Sequence, residues 1–308
     1  MRLKFIELKE VRDIGELISV YFDFFKLNLK SFLNIFIRYN GIFIFGFLGV
    51  SYLMVTGFVG NFRASSSPGL VEENFNDMMY IGFGAIGFVL LLIVTALLNY
   101  SLAAVYMIKY QEKKTVEIDK RQVFSIVVEN LGKILLFMLL MGLMYLGVFI
   151  AGVIISIIPF IGSLVYYGLM LGFTAWMGVS FMAMFYQKLS VTDAFGEGWR
   201  QVTRYFWKSV LVNLVVTLLL FALMGVVLMV PGILIGIYAF HSIESGIELA
   251  ESPFATVVWT LALSIFMIVY CFNQSLSQFV NGVLYFSLHE ETYNQNLRTK
   301  IDQIGIEE

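Results

Sequence analysis

Six stretches of this sequence are too long and too apolar for the interior of a soluble domain. A helix that crosses a bilayer needs about 20 mostly apolar residues. Runs of this kind occupy 36–60, 80–108, 134–158, 163–187, 209–236 and 255–286. Buried core helices rarely extend so far without a charge. The runs therefore predict an all-α, polytopic protein with six transmembrane helices, forming one membrane domain over residues 1–308. Composition agrees: 59% of residues are hydrophobic and 14% charged, against roughly 45–50% and 25% in soluble domains. An ordinary soluble enzyme is excluded. A net charge of −2 without a dominant basic surface excludes a nucleic-acid binder.

The rare residues narrow the chemistry. The single cysteine, Cys271, permits no intrachain disulfide and no cysteine-based zinc site. The two histidines, His241 and His289, are far apart. They do not supply the ligand sets of membrane di-iron enzymes or bis-haem carriers. No catalytic, cofactor or metal residue is expected. The N-terminal MRLKFIELKEVRD is charged and lacks the apolar core of a signal peptide. Insertion is expected to be driven by the internal spans.

Charge is distributed unevenly between the two sides. Residues 1–38, 109–133, 188–208 and 287–308 hold 19 of the 20 Lys and Arg. The other side holds Arg63 together with Glu72, Glu73, Asp77, Glu244, Glu248 and Glu251. Cytoplasmic loops carry the excess of Lys and Arg, so both termini are predicted to be cytoplasmic.

Three basic-side segments have helical apolar spacing. The first, 12–30, sets Ile14, Leu17, Ile18, Tyr21, Phe22 and Phe25 against a polar face. The second, 119–132, sets Phe124, Val127 and Val128 against Lys120, Arg121, Ser125 and Glu129. The third, 192–207, sets Phe195, Trp199, Val202 and Phe206 against Asp193, Glu197, Arg200, Gln201 and Arg204, with Thr192 or Ser190 as its cap. Sliding the chain on itself aligns Lys30, Lys133 and Lys208. The same shift aligns Tyr21 with Phe124 and Trp199, and Phe24 with Val127 and Val202. The reading is three parallel repeats, at about 12–108, 119–187 and 192–286, each an interfacial amphipathic helix followed by a transmembrane hairpin. The second and third hairpins are expected to turn at Pro159 and Pro231, and 287–308 to form a cytoplasmic tail. The interfacial helices either anchor and seal the bundle or offer a platform to lipid or a soluble partner.

Polar residues inside spans are costly and point to function. Arg38, Asn40, Asn99 and Asn213 lie within the first, second and fifth spans. The sixth carries Asn273, Gln274, Ser277, Gln278 and Asn281 on one arc. These residues are candidates for a polar cleft open to the cytoplasmic leaflet; the alternative is interhelical hydrogen bonding. Arg38 would bind an anionic group or reach back to the interface. No Asp or Glu lies deep in a span, which argues against an ion-coupled carrier.

Other signals are discounted. Gly82-Phe-Gly-Ala-Ile-Gly87 fits a dinucleotide fingerprint literally but sits within an apolar helix. Gly168, Gly172, Ala175 and Gly178, and the pair Gly232 and Gly236, permit close helix approach. His241 with Glu244, Glu248 and Glu251 reads as a solvated face in preference to a weak cation site.

The run TDAFGEGWRQVTRYFWKSVLVN (192–213), with Phe195, Trp199, Arg200, Arg204, Phe206, Trp207 and Lys208, resembles the membrane domain associated with bacterial glycerophosphodiester phosphodiesterases. The C-terminal VLYFSLHEETYNQNLRTKIDQIG (283–305) is similar to the tails of stand-alone Bacteroidetes-type relatives. The resemblance implies a plasma-membrane protein. It brings no phosphodiesterase, which belongs to a separate soluble barrel. The expected function is a non-enzymatic membrane module. It binds membrane lipid or a protein partner at its cytoplasmic face, through Trp199, Arg200, Arg204, Phe206, Trp207 and Lys208. The alternative is a transporter or lipid-translocating protein that uses the sixth-span cleft.

Overall fold

The computed structural model describes residues 5–66, 73–245, 253–294 and 298. Among these, every regular element is a helix. In chain order they are α1 (Ile14–Ser66), α2 (Glu73–Lys113), α3 (Lys120–Glu129), α4 (Leu131–Ile155), α5 (Ile161–Tyr186), α6 (Val191–Arg204), α7 (Phe206–Ser245) and α8 (Pro253–Tyr293). The helices α1, α2, α4, α5, α7 and α8 are long and apolar enough to cross a membrane. Their outward faces are apolar: Ile42, Phe45, Phe221 and Ile237 are 76%, 74%, 79% and 63% exposed. Apolar surface on this scale calls for lipid rather than water. The protein is an integral, multi-pass membrane protein.

Several boundaries differ from those expected. The predicted break between an interfacial helix at 12–30 and a first span at 36–60 is absent, and α1 runs unbroken for 53 residues. No Pro or Gly interrupts Lys30-Ser-Phe-Leu-Asn-Ile-Phe36, and Ser31 and Asn34 stand in the interior of α1 rather than at a cap. The expected turn at Pro231 is also absent. Pro231 lies inside α7, which continues to Ser245, since a spanning helix tolerates a proline whose freed carbonyl is satisfied locally. The α7–α8 connection, with Glu248 and Glu251, falls outside the described residues. The expected outer loop at 61–79 is largely helical, with α1 reaching Ser66 and α2 starting at Glu73.

The starts of α1, α3 and α6 are capped by side chains. Asp13 and Glu16 form a reciprocal capping box on α1: Glu16 N donates to Asp13 Oδ1 at 2.7 Å, and Asp13 N donates to Glu16 Oε2 at 3.0 Å. Asp119 accepts from Arg121 N at the start of α3, and Ser190, not Thr192, accepts from Asp193 N at the start of α6. The helices α4 and α5 turn over Ser156–Phe160, where Phe160 takes a φ of 61°. A Cβ on Gly162 would collide with the Ile155 carbonyl, so only glycine fits there.

The contacts divide the chain into two compact units. Unit 1 comprises Met1–Ile35, Tyr100–Leu219 and Ser275–Glu308. Its core is aromatic. Phe24, Phe32, Tyr106 and Phe279 are all buried and pack edge-on, with Phe32 and Phe279 centroids 4.6 Å apart. The Tyr106 hydroxyl is satisfied by Asn28 Oδ1 at 2.8 Å. Leu17, Tyr21, Phe24, Asn28, Phe32 and Ile35 form the buried stripe of α1, while Phe22 is exposed. In α3 the buried positions are Val123 and Val127, and Val128 is exposed. In α6 they include Ala194, Phe195, Gly198, Gln201 and Val202, and Trp199 is exposed.

Unit 2 comprises Phe36–Asn99 and Leu220–Gln274. Here α1 and α2 approach closely through glycine. A Cβ on Gly84 would lie 2.6 Å from Met54 Cγ. The GxGxxG run is thus a packing surface inside α2.

Candidate functional site

The polar residues within the spans divide between the two units. In unit 2, Asn40, Asn99 and Gln274 form one buried network on α1, α2 and α8. Asn40 Nδ2 donates to Asn99 Oδ1 at 2.8 Å and to the Phe36 carbonyl at 3.0 Å. Asn99 Nδ2 donates to the Cys271 carbonyl at 3.2 Å and towards Gln274 Oε1 at 3.4 Å. Asn99 is fully buried and occupies the centre. Asn40 Oδ1 has no hydrogen-bond partner. Asn273 Nδ2 faces Met224 Sδ on α7 at 3.4 Å, and its Oδ1 is likewise without a partner. Arg38 is exposed, its guanidinium 6.0 Å from the Tyr39 ring centroid, and takes no part in the network.

In unit 1, Gln278 and Asn281 of α8 face Gly178 of α5. Gln278 Nε2 donates to the Gly178 carbonyl at 3.4 Å. A Cβ on Gly178 would collide with the Asn281 amide. Gln278 Oε1 and both polar atoms of Asn281 are buried without hydrogen-bond partners. Ser277 is half-buried. Asn213 is buried but donates to Ser209 O on its own helix at 3.1 Å. The small-residue face of α5 therefore has internal partners: Gly172 meets Phe206, and Gly178 meets Asn281.

No protein-family model, curated protein or solved structure matches this chain. Its chemistry is therefore read from its own side chains. Among the described residues, no group of three or more His, Cys, Asp or Glu is placed to hold a metal ion.

The sequence alone did not reveal a second polar cluster in unit 1, around Glu197 of α6. Its carboxylate side chain is 10% exposed. It accepts from Arg200 Nη2 at 2.5 Å, Gln201 Nε2 at 2.6 Å and the Tyr293 hydroxyl at 2.9 Å. The buried His289 ring packs among Tyr186, Tyr285 and Tyr293. Tyr285, His289 and Tyr293 are spaced by four along α8, which is the one local signal that this face is shared. Charge-assisted hydrogen bonds of this kind lock α6 to the end of α8.

The N-terminal segment is also placed by polar contacts. Ile6 N donates to the Tyr110 hydroxyl at 2.8 Å, Leu8 N to Gln111 Oε1 at 3.1 Å and Arg12 N to Ser287 Oγ at 3.2 Å. The Arg12 guanidinium turns back onto Leu8 O at 3.0 Å, the Glu7 carbonyl, and Glu10 Oε2 at 2.7 Å. Burial lowers the Arg12 pKa, and Glu10, Glu16 and Glu7 oppose the shift. Residues with the composition of a solvated leader thus form a strap across α2 and α8.

The residues of the candidate lipid or partner surface lie on α6 and at the start of α7. Trp199 and Trp207 are 55% and 71% exposed, and Arg200 and Arg204 are exposed. Phe206 is half-buried against Gly172. Lys208 Nζ pairs with Glu291 Oε2 at 2.7 Å.

Proposed function

We propose that this protein is a non-enzymatic membrane module, with both termini cytoplasmic in a bacterial plasma membrane, that binds lipid or a protein partner at its cytoplasmic face. One observation carries the reading: Trp199 and Trp207 stand exposed beside Arg200 and Arg204, where α6 meets the first turn of a spanning helix. Tryptophan prefers the level of the lipid head groups, and arginine beside it meets their phosphates. The bias of 19 of 20 Lys and Arg supports the orientation. The test is Trp199→Ala with Trp207→Ala, assayed for retained lipid and co-purifying protein. The expected result is loss of one of them. Unchanged lipid and unchanged partners would remove this surface from consideration.

The fold under this proposal is a threefold repeat of amphipathic helix and hairpin. Phe24, Val127 and Val202, aligned by the internal shift, are all buried. The second helix of each hairpin is followed by a non-glycine residue at positive φ: Lys114 at 51°, Lys188 at 58° and Asn294 at 51°. Both observations support the repeat. The proposal includes kinship with the membrane domain associated with glycerophosphodiester phosphodiesterases. The Trp199–Lys208 run supports it, since its residues straddle the junction between α6 and α7.

A second reading, transport or lipid translocation, rests on the unpartnered buried amides. Asn40, Asn273, Gln278 and Asn281 each leave a polar atom unsatisfied, at a cost of roughly 1–3 kcal/mol apiece in a dry site. Water or a polar substrate at the amides of either unit would remove that unit's share of the cost. Under this reading, Gln274→Leu with Gln278→Leu abolishes solute or lipid flux in proteoliposomes. Flux equal to that of the unaltered protein rejects it.

A further inference from the structure

A cavity of about 350 Å³ in unit 1 lies among α2, α3, α4 and the turn after α5. Its volume is in the range of pockets that hold small ligands. Three lysines from three different elements line it: Lys109 of α2, Lys133 of α4 and Lys188 of the turn after α5. Glu112 and Glu129 also line it. Lys109 is neutralised by Glu112 at 2.6 Å. Among the described residues, Lys133 Nζ donates to the Leu189 carbonyl, at 3.5 Å. Lys188 has no ion-pair partner among the described residues and is exposed. With three lysines against two glutamates, the pocket carries an excess of one positive charge.

Its position selects the ligand. Lys133 stands at the start of α4 and Lys188 just beyond the end of α5, and these helices form an antiparallel hairpin of 25 and 26 residues. Each is about one bilayer long, so both lysines lie at the same membrane boundary, where lipid phosphates reside. Below them the wall is greasy. Met184 and Phe185 line the pocket, and Leu136, Leu139 and Leu143 run down the exposed side of α4 at 49%, 60% and 61% exposure. A phosphate beside Lys133 and Lys188 therefore leaves an acyl chain lying along that leucine stripe.

We infer that this pocket binds the phosphodiester headgroup of one anionic phospholipid through Lys133 and Lys188. The inference rests on the lipid-binding reading above and assigns it a second, separate site. Lysines near an anionic lipid surface contribute enough that losing two weakens binding roughly thirty-fold.

The test is native mass spectrometry of the full chain in detergent, titrated with phosphatidylglycerol or phosphatidylcholine. Lys133→Gln with Lys188→Gln is expected to weaken the first bound phosphatidylglycerol by roughly thirty-fold and to leave phosphatidylcholine unchanged. Glu129→Gln, which removes an opposing charge and keeps the side-chain shape, is expected to tighten phosphatidylglycerol about five-fold. That variant keeps the test open if the double variant does not fold. Unaltered phosphatidylglycerol affinity in the lysine variant overturns the inference, as does an unaltered or weakened affinity in Glu129→Gln. Equal binding of phosphatidylcholine overturns it as well. So does displacement by soluble glycerol phosphate at the same concentration, which would make the ligand a free phosphate. Lipid loss on changing Trp199 and Trp207 but not the lysines would retain the membrane-face reading and reject this pocket. Loss on changing the lysines alone would do the reverse.

Discussion

Gly178→Ala is expected to destabilise the protein by about 3 kcal/mol, because the new methyl group enters the volume of the Asn281 amide. The neighbours offer little relief. Asn281 is 1% exposed, and the backbone it meets belongs to a helix. The partner substitution is expected to behave differently. Asn281→Ala removes two polar atoms that have no hydrogen-bond partner, so it costs less than about 1 kcal/mol despite the cavity it leaves. Gly178→Ala with Asn281→Ala still leaves the Cβ of residue 281 about 2.5 Å from the new methyl, so it should recover only part of the loss, giving a coupling of about 1 kcal/mol in a double-mutant cycle. Unfolding in detergent, followed by loss of tryptophan or helical signal, measures all four corners. A single Gly178→Ala cost below about 0.5 kcal/mol contradicts the α5–α8 contact.

Asn99→Leu is expected to cost about 2 kcal/mol, since one side chain sustains three interhelical contacts and such contacts average about 0.6 kcal/mol each. The leucine removes the bond that Asn40 donates to Asn99 and the one that the Cys271 carbonyl accepts from it. Asn213→Ala serves as the control. Its amide donates only to Ser209 O, within the same helix, so its loss is expected to be near zero. Equal effects of the two substitutions would mean that the Asn40–Asn99–Gln274 network is not what holds α1, α2 and α8 in unit 2.

These two asparagines illustrate what the sequence makes legible. Both stand out as amides in apolar runs, and nothing in their spacing separates them. Only a neighbour does: Asn99 meets α1 and α8, while Asn213 meets its own turn. The amphipathic faces show the same limit. Helical spacing predicts an α1 stripe that includes Leu17 and Tyr21, which are buried, but it also includes Phe22, which is exposed, and omits Phe24, which is buried. The face that packs is chosen by the partner helix, and every face of an apolar helix satisfies the periodicity almost equally well. In α6 the polar Gln201 is buried with Phe195 and Val202, its amide nitrogen donating to the Glu197 carboxylate. The strap at residues 5–13 escapes notice for a related reason. Its charges signal solvent, whereas its backbone N–H groups find acceptors more than a hundred residues away.

The sequence by itself determined the solvent of this protein and the number of its spans. Apolar runs of that length leave the backbone no option in lipid but to bond within its own helix, and this constraint is local, needing no knowledge of neighbours. Tertiary structure alone decided which buried amides are paired and which lysines converge on one cavity. Those outcomes depend on contacts between segments remote in the chain, and in a protein where most side chains are apolar, composition scarcely distinguishes one such contact from another.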